Sequence, residues 1–215
     1  MKKDLVEMVF ILDRSGSMEG LEKDTIGGFN SMINKQKKIP GEALVSTVLF
    51  DDAYEVLHNR KSIKEVPSLT HEEYFVRGST AILDAIGRSL KKMISVYRRL
   101  KDEEKPEKTI FVITTDGMEN ASREFTSTQI KQMIEKQKEK YQWEFIFLGA
   151  NIDAVRTARD FGIRKDRVAN YHSDEQGTAL NYDAISETIS EFRVNHCINS
   201  NWNDEINKDF NSRKK

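Results

Sequence analysis

Apolar runs of strand length recur along this chain between segments of helical periodicity, and that alternation restricts it to an α/β fold. Leu5 to Leu12, Thr109 to Thr115 and Trp143 to Leu148 read as buried strands, because a strand covered on both sides keeps no polar face. Between them, Leu21 to Lys38 places Ile26, Phe29, Met32 and Ile33 on one helical face and stops at Pro40-Gly41. Ala81 to Leu100 does the same with Ile82, Ile86, Leu90, Met93 and Ile94. Further helices are expected over Thr126 to Lys140, with Thr126 as cap, Ile152 to Phe161 and Asp183 to Val194, with a short last strand over Arg167 to Tyr171. Ala43 to Phe50 and Ala53 to Leu57 are separated only by Asp51-Asp52, which reads as a hairpin whose second strand lies at a sheet edge. From about Asn59 to Ser79 the pattern is irregular. The expected architecture is a doubly wound, mixed but mostly parallel sheet with one antiparallel edge strand and helices on both faces.

A chain of 215 residues fits one large domain better than two small ones. That domain is expected over residues 1–198. The tail, residues 199–215, is polar, with Trp202, Ile206 and Phe210 four residues apart as its apolar anchors, and it is either a docked helix or disordered. Thirty-four basic residues against 35 acidic ones leave a formal net charge of −1, so no global field favours nucleic acid or an anionic membrane surface. Arg98-Arg99 and Arg213-Lys214-Lys215 read as solvated charge. The Met1-Lys2-Lys3 start does not lead into a secretory signal, since Asp4 and Glu7 interrupt the apolar run and Asp13 ends it. A single cysteine, Cys197, agrees with a reducing compartment, and a cytoplasmic location is the expectation.

Open α/β sheets hold their ligands in the crevice outside the carboxyl ends of the strands. Three segments bring oxygen side chains to that edge: Asp13, Ser15 and Ser17 after the first strand, Ser79-Thr80 before the long helix, and Thr115-Asp116 after a buried strand. Two carboxylates and three hydroxyls form an oxygen-only set suited to a hard divalent cation that keeps open positions. Each signal alone has a plainer reading. Asp13, Ser17 and Thr80 can be helix caps, and Asp116-Gly117 an ordinary turn. Asp51-Asp52 is explained by a hairpin tip, and His58, His71, His172 and His196 show no ligand spacing and for the most part read as surface residues, His71 being nearest the site loops.

Taken in order, Asp13-Arg14-Ser15-Gly16-Ser17, then Gly78-Ser79-Thr80 with Ile82-Leu83-Asp84-Ala85-Ile86, then the strand ending Thr115-Asp116-Gly117, the chain resembles the von Willebrand factor type A domain over about residues 4 to 195. The resemblance implies a Rossmann-like fold and an intact metal-ion-dependent adhesion site. Ser15, Ser17 and Thr80 would then coordinate the cation through hydroxyls, with Asp13 and Asp116 acting directly or through water. Gly16, Gly78, Ser79 and Gly117 would support the loops. The ion implied is Mg2+, with Mn2+ or Ca2+ as alternatives. A partner protein's Asp or Glu carboxylate would complete its coordination.

The function expected is a non-enzymatic, divalent-metal-dependent protein-binding module, intracellular, stand-alone and of bacterial or phage-like type. The alternative is a Mg2+-dependent phosphate-ester hydrolase or phosphotransfer enzyme, because an Asp-ended strand with magnesium also begins many phosphotransfer sites. Against it, Ser15 stands where an enzyme of the haloacid dehalogenase type carries a second Asp.

Overall fold

The computed structural model describes residues 1–213; Lys214 and Lys215 lie outside the described residues. The chain runs β1 (Lys2–Asp13), α1 (Glu22–Gln36), β2 (Glu42–Phe50), β3 (Tyr54–Ser62), α2 (Ile82–Arg99), β4 (Pro106–Thr115), α3 (Ser127–Tyr141), β5 (Glu144–Ala150), α4 (Ala154–Asp160), β6 (Val168–Tyr171), α5 (Glu175–Asn195) and α6 (Asp204–Ser212). The six strands order as β3-β2-β1-β4-β5-β6. All neighbours pair in parallel except β2 and β3, which is the expected mixed sheet with one antiparallel edge strand.

β1 explains why the sheet needs two layers of helices. Its even-numbered residues Val6, Met8, Phe10 and Leu12 pack with Ile26, Phe29, Met32 and Ile33 of α1 and with Ile185, Ile189 and Phe192 of α5. Its odd-numbered Val9 and Ile11 pack in the opposite layer with Ile82, Ile86, Leu90 and Met93 of α2, Ile130 and Ile134 of α3, and Ala154 and Ala158 of α4. Successive side chains of a strand point to opposite faces, so a wholly apolar run must be covered twice. Each of these large side chains contributes about 1.5–3 kcal/mol relative to exposure.

Several elements depart from expectation. β3 continues to Ser62, past the apolar run, because an edge strand needs only backbone pairing on one side; two register irregularities against β2 absorb the polar stretch. α5 begins at Glu175, two turns before the expected Asp183, with the Asp174 carboxylate accepting the Gly177 amide at 2.8 Å as its cap. That first part, Glu175 to Tyr182, carries Gly177 and few apolar residues, so its periodicity is weak. His58 is buried, not a surface residue, and shares a 3.0 Å hydrogen bond with Thr47. The described part of the tail contains a docked helix, α6: Trp202 and Ile206 enter the α1/α5 layer, and the Trp202 indole donates to the Asp166 carbonyl at 2.9 Å. Arg213, expected as solvated charge, pairs with Asp174 and Asp209. No helix among the described residues is long and apolar enough to cross a membrane.

Gly28 marks the closest approach of α1 to α5, since a Cβ there would lie 2.2 Å from the Tyr182 ring. Gly28→Ala is expected to destabilise the fold by about 1–3 kcal/mol through overpacking, whereas the same change at Gly27, which has open space around it, does not; thermal melts of the two variants check this.

Candidate metal centre

The strand order reverses at β1, whose neighbours are β2 on one side and β4 on the other, and ligand crevices of open α/β sheets form at such a switch point. Leu12 lies opposite Thr114 in the β1/β4 register, so the loops that leave the two strands emerge side by side. Asp13 and Thr115 are then neighbours, and the Thr115 hydroxyl donates to Asp13 Oδ2 at 2.6 Å. The other carboxylate oxygen of Asp13 accepts the Ser15 amide at 2.7 Å, which turns the chain back over the strand end.

That turn presents three hydroxyls in a row. Thr80 Oγ1 donates to Ser15 Oγ at 2.9 Å, and Ser15 Oγ lies 3.1 Å from Ser17 Oγ. Asp13, Ser15, Thr80 and Asp116 are buried while Ser17 is exposed, so the row runs from the interior to solvent. Gly117 closes it from the β4 side: a Cβ there would meet Thr80 Oγ1 at 2.7 Å and Ser17 Oγ at 2.8 Å, so only glycine lets this loop lie against both hydroxyls. Its backbone φ is not in the left-handed region, nor is that of Gly16; glycine is needed at 117 for close approach, whereas a Cβ at Gly16 would make only ordinary contact, 3.4 Å from the Gly78 carbonyl oxygen. Gly78 does take a left-handed φ of +67°, and its carbonyl accepts the Gly16 amide at 3.1 Å. Ser79 is exposed and faces a cavity shared with Asp52, Asp84 and Asn120, apart from the hydroxyl row.

The capping alternatives fail on this geometry. α1 starts at Glu22 with Leu21 as its cap residue and no side-chain cap, and α2 starts after Ala81 without one. Asp13, Ser17 and Thr80 are each bonded to Ser15 and cap neither α1 nor α2.

Electrostatics distinguish the two carboxylates from ordinary buried acids. Burial, with a smaller contribution from the Asp116 charge, pushes the Asp13 carboxyl above its usual range. Asp116 Oδ2 accepts from Ser173 and, at 3.5 Å, from the Asn151 amide, but its Oδ1 is buried with no hydrogen-bond partner. Among the described residues no lysine or arginine pairs with either carboxylate. A buried, unpartnered carboxylate oxygen is costly. Two buried acids and three hydroxyls at the ends of neighbouring strands are a donor set that fits a hard divalent cation, whose charge and oxygen preference answer both deficits.

Residues outside the oxygen set hold this arrangement. Arg14, wholly buried, donates to Asp51 at 3.0 Å, to Glu55 at 2.8 Å and to the Glu73 carbonyl at 3.2 Å. Its own amide is bonded to the Phe50 carbonyl, and its carbonyl to the Arg77 amide. Asp51 does lie in the β2–β3 hairpin turn, and there it is a buried acid between Arg14 and Arg77. Tyr74 donates from its buried hydroxyl to the Asp13 carbonyl. On the β4 side, Asn120 accepts the Thr80 amide at 2.9 Å and donates its own amide to the Thr80 carbonyl at 3.0 Å. Glu119 accepts the Leu83 amide at 3.0 Å, and Asp84 accepts the amides of Arg123, Glu124 and Phe125 at 2.8–3.0 Å. Apolar periodicity does not mark such groups, because polar residues in loops look solvated until their partners are known. His71 is exposed and makes no part of the hydroxyl row.

The sequence matches no protein-family model and no curated protein. Among solved structures, the fold is similar to proximal thread matrix protein 1 of the mussel byssus, with a TM-score of 0.60 and 14% identity over 86% of this chain and 46% of that one. One structure of that protein has a zinc-occupied metal-ion-dependent adhesion site motif (TM-score 0.60, 13% identity, 86% of this chain and 46% of that one). It is also similar to the manganese-loaded TRAP protein of Plasmodium vivax (TM-score 0.56, 15% identity, 84% of this chain and 73% of that one). A von Willebrand factor type A protein from Catenulispora acidiphila matches at a TM-score of 0.54 and 13% identity, over 85% of this chain and 42% of that one. The chain spans less than half the length of the mussel and Catenulispora proteins. These likenesses show the fold, which is the Rossmann-like von Willebrand factor type A fold.

Asp51→Asn is expected to leave the Arg14 charge short of a partner and to cost about 3 kcal/mol of stability at neutral pH. Burial alone would raise Asp51, but donors from Arg77, the Ala53 amide and Arg14 hold it below its ordinary 3.8. The stabilisation is therefore complete above about pH 4 and is lost as pH falls through the lowered folded value. Denaturant melts of both proteins across pH 2–7 should show the gap between them closing at the acid end.

Proposed function

We propose that this chain is a divalent-metal-dependent protein-binding module. Ser15, Ser17 and Thr80 coordinate the ion through their hydroxyls, and Asp13 and Asp116 hold it directly or through water. The observation that carries the reading is the single row of three hydroxyls above two buried carboxylates, one of which has an unpartnered oxygen. Mg2+ is the ion we assign in the cell, with Mn2+ or Ca2+ as substitutes; zinc and manganese stand in the names of two structural neighbours.

Hydroxyl ligands contribute no formal charge, so a cation held largely by them stays incompletely neutralised and attracts a further anion. A partner's Asp or Glu carboxylate is the ligand that fits. The surroundings support a protein partner: Met118, next to Gly117, is 71% exposed, and Phe75 is 43% exposed with the Arg14 and Arg77 guanidinium groups 5.2 and 5.3 Å from its ring centre. Large apolar side chains in water beside a charged site are what an interface covers. Arg77 is half-exposed there and steers an acidic partner.

We assign no catalytic step. Ser15 occupies the place of the second acid of phosphoaspartate enzymes, and the arginine nearest the site, Arg14, is fully engaged with Asp51, Glu55 and Glu73. The lone Cys197, exposed and unpaired with another cysteine, supports placing the module in a reducing, cytoplasmic setting.

Calorimetric titration with Mg2+ and Mn2+ is expected to show binding that Thr80→Ala and Asp13→Ala each weaken by at least about tenfold, with both variants keeping the wild-type circular dichroism spectrum. Absence of binding to the wild type at millimolar ion removes the proposal. Metal-dependent hydrolysis of a generic phosphate ester, lost in Asp13→Ala, replaces it with the enzyme reading.

A further inference from the structure

We propose that Asp4, Glu107 and His196 form a second cation site, taking a zinc-class divalent ion, at the opposite edge of the sheet. One ligand atom from each of the three side chains lies within 4.8 Å of the other two. The residues come from three separate elements: Asp4 from the start of β1, Glu107 from the start of β4, and His196 from the end of α5. Nine residues of extended strand separate Asp4 from Asp13, about 30 Å at 3.3 Å per residue. This cluster is therefore independent of the candidate metal centre and of its proposed function.

The local backbone is built to bring the three together. Between the pairs Lys2/Pro106 and Val6/Lys108, β1 contains three residues where β4 contains only Glu107. Such an irregularity re-aims side chains, and here the Glu107 carboxylate accepts the Asp4 amide at 2.8 Å. His196 ends α5 in the left-handed conformation, with φ +58° and its amide still bonded to the Phe192 carbonyl. The C-terminus of a helix carries partial negative charge, which favours a cation beside it.

A second observation points to a ligand and not to a chance meeting of surface acids. His196 Nδ1 is buried and has no hydrogen-bond partner. A buried imidazole nitrogen normally finds a donor, an acceptor or a metal. Two carboxylates and an imidazole match zinc and its first-row neighbours better than magnesium or calcium, which prefer oxygen alone. Metal–ligand distances near 2.1 Å require ligand atoms about 3.4 Å apart, which the exposed Asp4 side chain reaches by rotation. The remaining positions belong to water. An ion there pins the end of α5 to the N-terminal ends of the two central strands, just before the chain passes on to Trp202 and α6.

The test is a zinc titration of the full chain, with stoichiometry read by calorimetry and by equilibrium dialysis, in wild type and in Asp13→Ala. His196→Asn, which keeps a residue tolerant of left-handed φ, and Glu107→Gln are each expected to remove one equivalent of zinc in both backgrounds. They should also abolish the zinc-dependent rise in melting temperature that this equivalent causes. Cys197→Ser is expected to keep that equivalent, which separates the site from thiol binding. Melts in chelator show whether the variants are folded, and Asp4→Asn provides the check if either of them is not. Zinc stoichiometry unchanged in His196→Asn and Glu107→Gln, or an equivalent lost only in Cys197→Ser, overturns the proposal.

Discussion

A guanidinium sealed from water needs a partner for each nitrogen, and Arg14 finds them by drawing two loops and the start of β3 to one end of the sheet. Its partners come from the β2–β3 connection, from β3 and from the irregular segment before α2. Its backbone bonds tie the same segments again, through Phe50 and Arg77. Because Arg14 stands between Asp13 and Ser15, fixing it fixes the spacing of the two oxygen groups on either side. A buried ion pair adds little net stability over an apolar core, but removing one partner is costly. The pair Arg14–Asp51 is best understood as a device for position.

The β4 side is organised by a different means. There the work falls to carboxylates and an amide that accept or supply backbone hydrogen bonds: Asp84 gathers three consecutive amides of the segment after Asp116, and Asn120 holds both backbone groups of Thr80. α2 has no side-chain cap of its own, so Glu119 satisfies one of its free amides from outside. The two halves meet where Gly117 lies against Thr80 and Ser17. The hydroxyl row is thus held from both neighbours of the switch point, and this is why its members stay within hydrogen-bond reach of one another.

Much of this is legible in the order of the amino acids. The central strands stand out because burial on both faces leaves few polar positions, Glu7 of β1 being one. The two large helices do so because a single buried stripe has a fixed period. Thr126 reads as a cap, and its side chain does accept the Gln129 amide, although at 3.3 Å. The candidate site residues are readable as a set because they sit at the ends of strands that periodicity can place. What escapes is polar and non-local. Asp51 looks like a turn residue, His58 like a surface one, and the first two turns of α5 like a loop. Each is decided by a partner distant in sequence: Arg14, Thr47 and the packing of Tyr182 against α1.

By itself, then, the sequence determined where most of the strands and helices lie, that the sheet must be covered on both faces, and which oxygen-bearing residues fall at its carboxyl edge. Those follow from periodicity and chain order, which are local properties. Tertiary structure alone decided that the Ser15, Ser17 and Thr80 hydroxyls form one row beside Asp13, that Asp116 keeps an oxygen without a donor, and that Arg14 and Asp84 hold the loops in place. It also decided that Asp4, Glu107 and His196 meet at the far edge. The physical reason is the same in each case: side chains from segments up to 192 residues apart acquire their electrostatic surroundings only when the strands pair, and no local pattern encodes that meeting.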